Sequence, residues 1–334
     1  MDLYGDLVEQ YREFAGHAAA DSPYFAAWSL GVAQDDDVLS WLTRLPRVKQ
    51  QPNLVFAAAR WHGVPAPGPY AGLRDALLGD DGRIEATIRS RRTQTNEVGR
   101  LATLLPAFGL AARDTAEPLV LIEVGASAGL CLFPDRYRHR WRWAGEPPRE
   151  ESLGEGPELR CDVAGPVPLP DTPPVVGWRA GIDLHPLSVH DADAMDWLEM
   201  LVWPEQHDRR VRLRRAVEVA AAEPPYLVRG DLLDELPLLV EEAQAFGRVV
   251  VFHTAVVAYL DEPARRRFAD LMAGLVASGA CHWVSNEGRR VLPEVSATAP
   301  RGAGTDDDLH FVLGLDGQAL ARTHGHGRAL RWLG

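Results

Sequence analysis

The sequence predicts an α/β protein in which a helical N-terminal part precedes a mostly parallel β-sheet. From residue 119 onward, short apolar runs rich in β-branched residues recur, and segments with apolar residues at helical spacing lie between them. This alternation is typical of parallel strands that are joined by helices. Before residue 117 the apolar residues recur at helical spacing and no strand pattern occurs. We therefore expect a helical cap over residues 1–116 and a sheet domain over residues 117–334.

The N-terminal part contains three predicted helices. The first carries Leu7 and Tyr11 on one face, and the second covers residues 53–61, after which a proline-rich segment ends it. The third begins near Gly82 and reaches an apolar face that includes Leu105. This part is predicted to cover the site that the sheet forms.

The sheet domain contains five predicted strands and a hairpin. Amphipathic helices lie between the later strands, and the clearest extends from Asp261 to Gly279. The residues from 309 to 313 alternate, and Asp316-Gly317 is a tight-turn signal, which predicts a C-terminal β-hairpin that closes one sheet edge. The predicted strands cover residues 119–122, 175–183, 226–228, 249–252 and 282–284.

A segment over residues 131–177 is inserted where a short connection is expected. Within it, arginines from Arg136 to Arg142 alternate with aromatic residues. A period of two predicts an exposed strand with an arginine face, which pairs with residues 158–163 as an inserted hairpin. The arginines form either a solvated face or a surface for an acidic substrate or partner.

Composition narrows the classes of function. Of the 334 residues, 35 are Lys or Arg and 47 are Asp or Glu, so the net charge is −12. This balance disfavours duplex nucleic acid as a partner. No apolar run approaches the roughly 18 residues that span a bilayer, no secretory signal is recognised, and three separated cysteines suit a reducing compartment. We expect a cytoplasmic protein with a small-molecule substrate, without a membrane or nucleic-acid partner, and leave its oligomeric state open.

The sharpest local signal is Glu123-Val124-Gly125-Ala126-Ser127-Ala128-Gly129, which follows the first strand. Small residues let a ligand approach the backbone, and a helix predicted to follow offers free N–H groups. Three kinds of site compete: an S-adenosylmethionine loop, a nucleophile elbow and a dinucleotide loop. The pattern G-x-S-x-G matches, with Ser127 as a nucleophile and a later histidine in a triad. The pattern G-x-G-x-x-G does not match, which makes the dinucleotide loop the weakest of the three.

This segment resembles the first motif of the class I methyltransferases, which use S-adenosylmethionine as cofactor. That motif is a hydrophobic strand, an acidic residue and Gly-x-Gly-x-Gly, and here Ser127 takes the place of the middle glycine. The resemblance implies a Rossmann-like class I methyltransferase sheet with a C-terminal hairpin and no metal. It also implies that Glu123 accepts hydrogen bonds from the loop or, through water, from the cofactor's amino group. The methionine part of the cofactor would lie over Gly125, Ala126, Ser127 and Gly129.

Polar residues follow the later strands at the same predicted sheet edge. By the same resemblance, Asp183 holds the ribose hydroxyls, Asp231 accepts from the adenine amino group, and Leu232 packs beside it. His253 ends the fourth strand and is the candidate general base. Asp183 follows the loop much later than the usual interval of about 20 residues, which leaves Glu146 as an alternative ribose ligand. Acids after strands are also common helix caps.

A second polar cluster lies in the N-terminal part. It either caps the helices that it precedes or points into a substrate site over the carboxyl edge of the sheet. The candidate substrate-binding residues are Asn53, Gln94, Asn96, Glu97 and Arg100.

Segments along nearly the whole chain look like an uncharacterised bacterial family that is classed as a domain of unknown function. That resemblance identifies a family and supplies no activity. We therefore expect an S-adenosylmethionine-dependent methyltransferase with an unknown small acceptor. The alternatives are a serine hydrolase that uses Ser127 and a non-catalytic sensor of a nucleotide-like ligand. The segments are 51–54, 93–100, 123–130, 181–186, 201–206, 229–231 and 252–253.

Overall fold

The computed structural model describes residues 6–300 and 309–334, which form two compact units. The helical unit contains the chain up to Thr95 together with Ala192–Val211, and the sheet unit contains Asn96–Asp191 and Arg212–Gly334. The boundary therefore differs from the predicted division after residue 116. Residues 96–116 pack with the sheet, and a later stretch of chain returns to the helices.

Helices occupy most of the first unit and connect the strands of the second. The predicted third helix is two helices, because an extended segment separates Arg83–Ser90 from Leu101–Ala111. The helices are α1 (Leu7–Ala18), α2 (Pro23–Val32), α3 (Asp36–Leu42), α4 (Pro52–Trp61), α5 (Tyr70–Leu78), α6 (Arg83–Ser90), α7 (Leu101–Ala111), α8 (Ala192–Met200), α9 (His207–Ala222), α10 (Leu232–Ala243), α11 (Glu262–Ala277) and α12 (Pro293–Ala297).

Aromatic side chains form the core of the helical unit. Phe25 lies 5.0 Å from Phe56 and 5.5 Å from Trp28 between ring centroids, and all three are buried. The Ser22 hydroxyl accepts a hydrogen bond from the Phe25 N–H and so caps α2 at the residue where this core begins.

Eleven strands form one sheet in the described part of the sheet unit. Their order is β3-β2-β4-β11-β10-β9-β8-β7-β1-β5-β6. The strands are β1 (Leu119–Val124), β2 (Arg138–Trp143), β3 (Arg149–Leu153), β4 (Glu158–Ala164), β5 (Val176–Asp183), β6 (Tyr226–Arg229), β7 (Arg248–Thr254), β8 (His282–Gly288), β9 (Phe311–Leu315), β10 (Gln318–Thr323) and β11 (Ala329–Trp332).

Five neighbouring strands, β6-β5-β1-β7-β8, are all parallel. β1 is buried along its whole length, as expected for a central strand that helices cover on both faces. The chain moves from β1 to β5 and β6 on one side, and then returns to β7 and β8 on the other. The predicted α/β class with a mostly parallel sheet is confirmed. The strand order reverses between β1 and β7, and in open α/β sheets ligands bind at such a reversal, outside the carboxyl ends of the strands.

The C-terminal hairpin is present as β9 and β10. Asp316 has φ 51° and Gly317 has φ 81°, which suits the two-residue turns that join twisted antiparallel strands. The prediction that this hairpin closes a sheet edge is wrong, because β10 pairs with β11 and β11 pairs with β4. The sheet continues for three strands beyond β11.

Those three strands come from the inserted segment. β2 does pair with residues 158–163, but the two strands are parallel and therefore do not form the predicted hairpin. The antiparallel partner of β2 is β3, which ends the sheet. The segment thus extends the same sheet at its far end.

No helix among residues 6–300 and 309–334 combines the length and the apolar character that a bilayer crossing needs.

Candidate functional site

The small-residue loop lies directly after β1, at the reversal of strand order. Ser127 and the glycines at 125 and 129 all have positive φ, at 52°, 72° and 69°. Glycine adopts this conformation readily and serine does so at a cost, so surrounding contacts must hold Ser127 in place. The Ser127 N–H donates to Asp183 Oδ2 over 2.9 Å, which is one such contact.

Most N–H groups of the loop are bonded inside the protein. Gly125 and Ala126 both donate to the carbonyl of Ile182, over 2.8 and 3.1 Å, and Gly129 donates to the carbonyl of Ala126 over 2.6 Å. The loop is thereby attached to the end of β5. Its ligand-binding capacity consequently depends on side chains and carbonyls near it more than on these three N–H groups.

The helix predicted after the loop is absent. A single 3₁₀ turn over Leu130–Leu132 follows, and a second begins at Pro134. Proline removes a backbone donor and clashes with the preceding turn, so an α-helix does not continue through it. This site therefore lacks the helix N-terminus that the sequence suggested.

Asp183 connects the end of β5 to this loop. Besides the bond from Ser127, its Oδ1 accepts the N–H of His185 over 2.8 Å. A carboxylate with two backbone donors has a fixed orientation. Glu146, the alternative ribose ligand, lies between β2 and β3 at the other end of the sheet, so Asp183 is the acid beside the loop.

Asp231 and Leu232 follow β6, the next strand outward. Asp231 is exposed and is the N-cap of α10, where its Oδ1 accepts the N–H of Leu233 over 2.8 Å. The capping alternative is thus present in the structure. A cap uses one carboxylate oxygen and leaves a cofactor role as a prediction.

Two of the predicted substrate residues bond to backbone groups just after the loop and at the end of β7. Asn96 accepts the N–H of Leu130 through its Oδ1 over 2.7 Å. Arg100 is buried and donates to the carbonyls of Thr254 and Gly325, over 3.0 and 2.7 Å.

Glu97 also acts within this segment. Its Oε1 accepts the Gly99 N–H over 2.9 Å and lies 3.5 Å from the Arg212 guanidinium. The thiol of Cys131 donates to the Glu97 carbonyl over 3.6 Å. Sequence reasoning missed Cys131 and Arg212, since nothing in the local pattern indicates their partners 34 and 115 residues away.

Asn53 and Gln94 belong to the helical unit. There the Asn53 Oδ1 accepts the indole N–H of Trp203 over 3.1 Å. A substrate role for these two residues stays a prediction.

Glu123 lies in β1 and is fully buried. Burial raises the pKa of its carboxyl well above the usual value, with Asp183 adding to the rise and Arg100 opposing it. Its Oε2 has no hydrogen-bond partner among the described residues. A buried acceptor without a hydrogen-bond partner is uncommon in native proteins. A bound ligand or a proton on the carboxyl would each account for it.

His253 is the last residue but one of β7 and is fully buried. Its Nε2 lies 3.0 Å from the indole nitrogen of Trp283, and its Nδ1 lies 2.8 Å from Glu287 Oε1. Because an indole N–H can only donate, Nε2 is the acceptor and Nδ1 carries the proton. Both ring nitrogens are therefore engaged inside the protein. This geometry does not support the predicted general base, and it makes His253 part of the buried scaffold.

The turn after β7 is held by Glu287 and covers the loop. Glu287 Oε1 also accepts the N–H groups of Val256 and Val257, over 2.9 and 3.1 Å. A side chain at Gly125 would collide with Val256, so the valine packs directly on this glycine. The polar end of β8 was visible in the sequence, but the closeness of Val256 to the loop was not.

Two features of the structure weigh against a hydrolase that uses Ser127. The side chain is buried, and the elbow helix is missing. Two acid–histidine pairs of the structure are His253 with Glu287, whose ring nitrogens are both engaged, and His282 with Asp316 at 2.8 Å. The second pair lies at the start of β8, which is the opposite edge of the sheet.

The arginine face of β2 is a ladder of ion pairs. Arg140 pairs with Glu150 and Glu158, while Arg142 lies 2.9 Å from Asp162. Exposed pairs of this kind contribute little stability, at about 0–1 kcal/mol each. The paired charges favour a solvated face over a surface for an acidic ligand.

A cavity of about 600 Å³ lies beside β2, β4 and β11, with Trp143, Asp162 and Arg331 in its wall. Four strands, β10 to β7, separate β11 from β1 in the sheet. The cavity is thus remote from the strand ends that carry the predicted cofactor residues.

Residues 8–332 match the model of a protein family described as an uncharacterized protein conserved in bacteria (DUF2332). The chain belongs to this family. The match confirms the family resemblance that segments along the sequence suggested. It does not assign an activity to the chain. No curated protein matches the chain.

Proposed function

We propose that this DUF2332 chain is an S-adenosylmethionine-dependent methyltransferase with a class I-type sheet and a small-molecule acceptor. One observation carries the proposal: the small-residue loop, Asp183 and Asp231 follow β1, β5 and β6, which are three neighbouring parallel strands on one side of the strand-order reversal. The order along the edge is loop, acid, acid.

That order suits a ligand with an amino-acid part, a ribose and a base in sequence. Neighbouring strands lie about 4.8 Å apart, so the three strand ends span about 10 Å. Asp183 would accept hydrogen bonds from a vicinal diol, and Asp231 would accept from an amino group. Charge-assisted bonds of this type are about twice as strong as neutral ones.

Of the residues near the loop, Glu123 fits the amino-acid part of the cofactor and Val256 restricts the space for it. The unpartnered Oε2 of Glu123 is an acceptor for a donor on the ligand. Val256 covers Gly125, so a ligand that lies against the glycine must displace the valine side chain. When bound, the cofactor would supply a methyl group on a sulfonium centre.

The chain's own contribution would be positioning. Holding two reactants in line removes the entropy cost of their encounter, and this alone accelerates a displacement strongly. His253 is engaged on both nitrogens and is assigned no proton transfer. The acceptor should therefore be a group that needs little assistance in losing its proton.

Isothermal calorimetry with S-adenosylmethionine and S-adenosylhomocysteine tests the proposal. We expect micromolar binding to the wild type and about tenfold weaker binding to Asp231→Asn, since a neutral amide replaces a charged acceptor. Asparagine is as good an N-cap as aspartate, so this variant should fold normally. Asp261→Asn, at the N-cap of α11, is the matched control and should bind like the wild type.

Absence of binding by the folded wild type at millimolar cofactor would overturn the proposal. Equal binding by the wild type and Asp231→Asn would remove Asp231 from the site. A non-catalytic sensor is the second candidate, favoured by the engagement of His253. Cofactor binding without product formation across a panel of acceptors would support the sensor.

A further inference from the structure

Glu123 is a buried acid with one unused oxygen. It lies two residues before Gly125, is 2 % exposed, and its Oε2 has no partner in the described part of the chain. An ionised carboxylate in this position would leave Oε2 charged and buried without a hydrogen bond, which is unfavourable. A neutral carboxyl avoids most of that cost.

The groups that face Glu123 come from three parts of the sheet unit. Asp183, at the end of β5, repels a negative charge on Glu123, and Arg100 attracts one. The Arg100 guanidinium already donates to two backbone carbonyls, so it is shared with other acceptors. The side chains of Cys131 and Asn96 also face the carboxyl and lower its pKa, and Tyr137 interacts with it as well.

We infer that Glu123 is a neutral acid in the ligand-free protein and loses its proton when the ammonium group of a ligand binds at the loop, so that binding releases one proton. In this step the O–H bond of the carboxyl breaks, the proton passes to the solvent buffer, and the new carboxylate pairs with the ammonium. The proposed function supplies the ligand class, an amino acid linked to a nucleoside. Glu123 loses its proton because the positive charge of the ligand lies close to it, and an opposite charge nearby favours the ionised acid.

The ligand-free state is tested by stability as a function of pH. Burial raises the folded-state pKa of Glu123 above its unfolded value of about 4.3. The stability that this group contributes is thus fully present below pH 4.3 and is lost as pH rises through the folded pKa. Urea unfolding of wild type and Glu123→Gln should show the variant gaining stability relative to wild type as pH rises from 4.5 to 8.

Glu158→Gln is the control for that comparison. A hydrogen bond from Arg160 lowers the pKa of Glu158 in the folded protein, so Glu158 is ionised in both the folded and the unfolded chain from pH 5 upward. The difference between wild type and Glu158→Gln should stay constant from pH 5 to 8. A constant difference for Glu123→Gln as well would overturn the inference, because it would mean an ionised Glu123 in the ligand-free protein.

The ligand step is tested by calorimetry in phosphate and Tris buffers, whose ionisation enthalpies differ. S-adenosylmethionine and S-adenosylhomocysteine both carry the ammonium and should each release up to one proton from wild type and none from Glu123→Gln. Methylthioadenosine lacks the amino-acid part and should release none. The number released should fall toward zero at high pH, where the ligand-free acid is already ionised.

The outcomes separate this inference from the proposed function. Binding of the cofactor without proton release overturns the inference and leaves the proposed function standing. No binding at all overturns the proposed function and the ligand step together, while the urea experiment still decides whether Glu123 is neutral in the ligand-free protein.

Discussion

The ring of His253 shows how strongly a residue's chemistry depends on its immediate neighbours. A histidine at the end of a strand is a candidate base, yet here Trp283 donates to one ring nitrogen and Glu287 accepts from the other. Glu287 Oε1 accepts two backbone N–H groups in addition. The three side chains therefore fix the turn after β7, and the same turn places Val256 on Gly125.

Replacing His253 with alanine should lower the free energy of unfolding by about 2–5 kcal/mol. The change opens a cavity and leaves the Trp283 N–H without its acceptor. Urea unfolding measures the loss. His282→Ala is the control, because His282 is partly exposed and its pair with Asp316 should contribute under about 1 kcal/mol. Equal losses for both variants would contradict a scaffold role for His253.

Two turns at the carboxyl edge matter more to the site than the helices around them. The loop after β1 and the turn after β7 each contain a non-glycine residue with positive φ, Ser127 and Ala255. Ala255 has φ 57°, and its N–H donates to the Asn286 carbonyl over 3.2 Å. Left-handed backbone at alanine costs roughly 1–2 kcal/mol, so neighbouring contacts must maintain this turn.

Ala255→Gly should raise the free energy of unfolding by about 0.5 kcal/mol. Glycine removes the left-handed penalty, and its greater freedom in the unfolded chain offsets part of the gain. Thermal or urea unfolding would detect the change. Ala273→Gly, at an exposed position inside α11, should instead destabilise by about 1 kcal/mol. A loss of stability in Ala255→Gly would mean that the alanine side chain contributes more than its backbone costs.

At the scale of the whole molecule, the sequence predicts local elements better than their partners. The parallel strands and the hairpin follow from apolar runs and the Asp316-Gly317 turn. The position of β11 between β10 and β4 does not, because that pairing joins residues more than 160 positions apart. The direction of β2 against β4 is also undetermined by an alternating pattern, which suits parallel and antiparallel neighbours alike.

For the candidate site, too, the sequence predicts local features better than the contacts between them. The sequence located Asp183, the loop and the acids after the strands, since strand ends meet at one edge. It did not predict which backbone groups Asn96 and Arg100 bind, because side-chain direction depends on the packed fold. The prediction of a helix after the loop was wrong, although Pro134 is a local signal in the sequence against such a helix.

The helical unit is discontinuous in sequence, so a deletion of its first part leaves its second part behind. A chain truncated to residues 96–334 keeps Ala192–Val211 without the helices that accompany it, and its Trp197 and Leu198 are buried in the full chain. We expect the truncated protein to bind the dye ANS strongly and to self-associate on gel filtration. Serine at both positions should reduce both effects in the truncated chain. Weak dye binding by the unsubstituted truncation would contradict the division into units.

The place of β11 in the sheet also has a consequence for biosynthesis. β4 leaves the ribosome more than 160 residues before the strand that pairs with its open side, β11. At 5–20 residues per second the intervening stretch takes roughly 10–30 s to translate. During that time the nascent chain carries an unfilled strand edge, which chaperones or the charged residues of β2 and β3 must protect from association with other nascent chains.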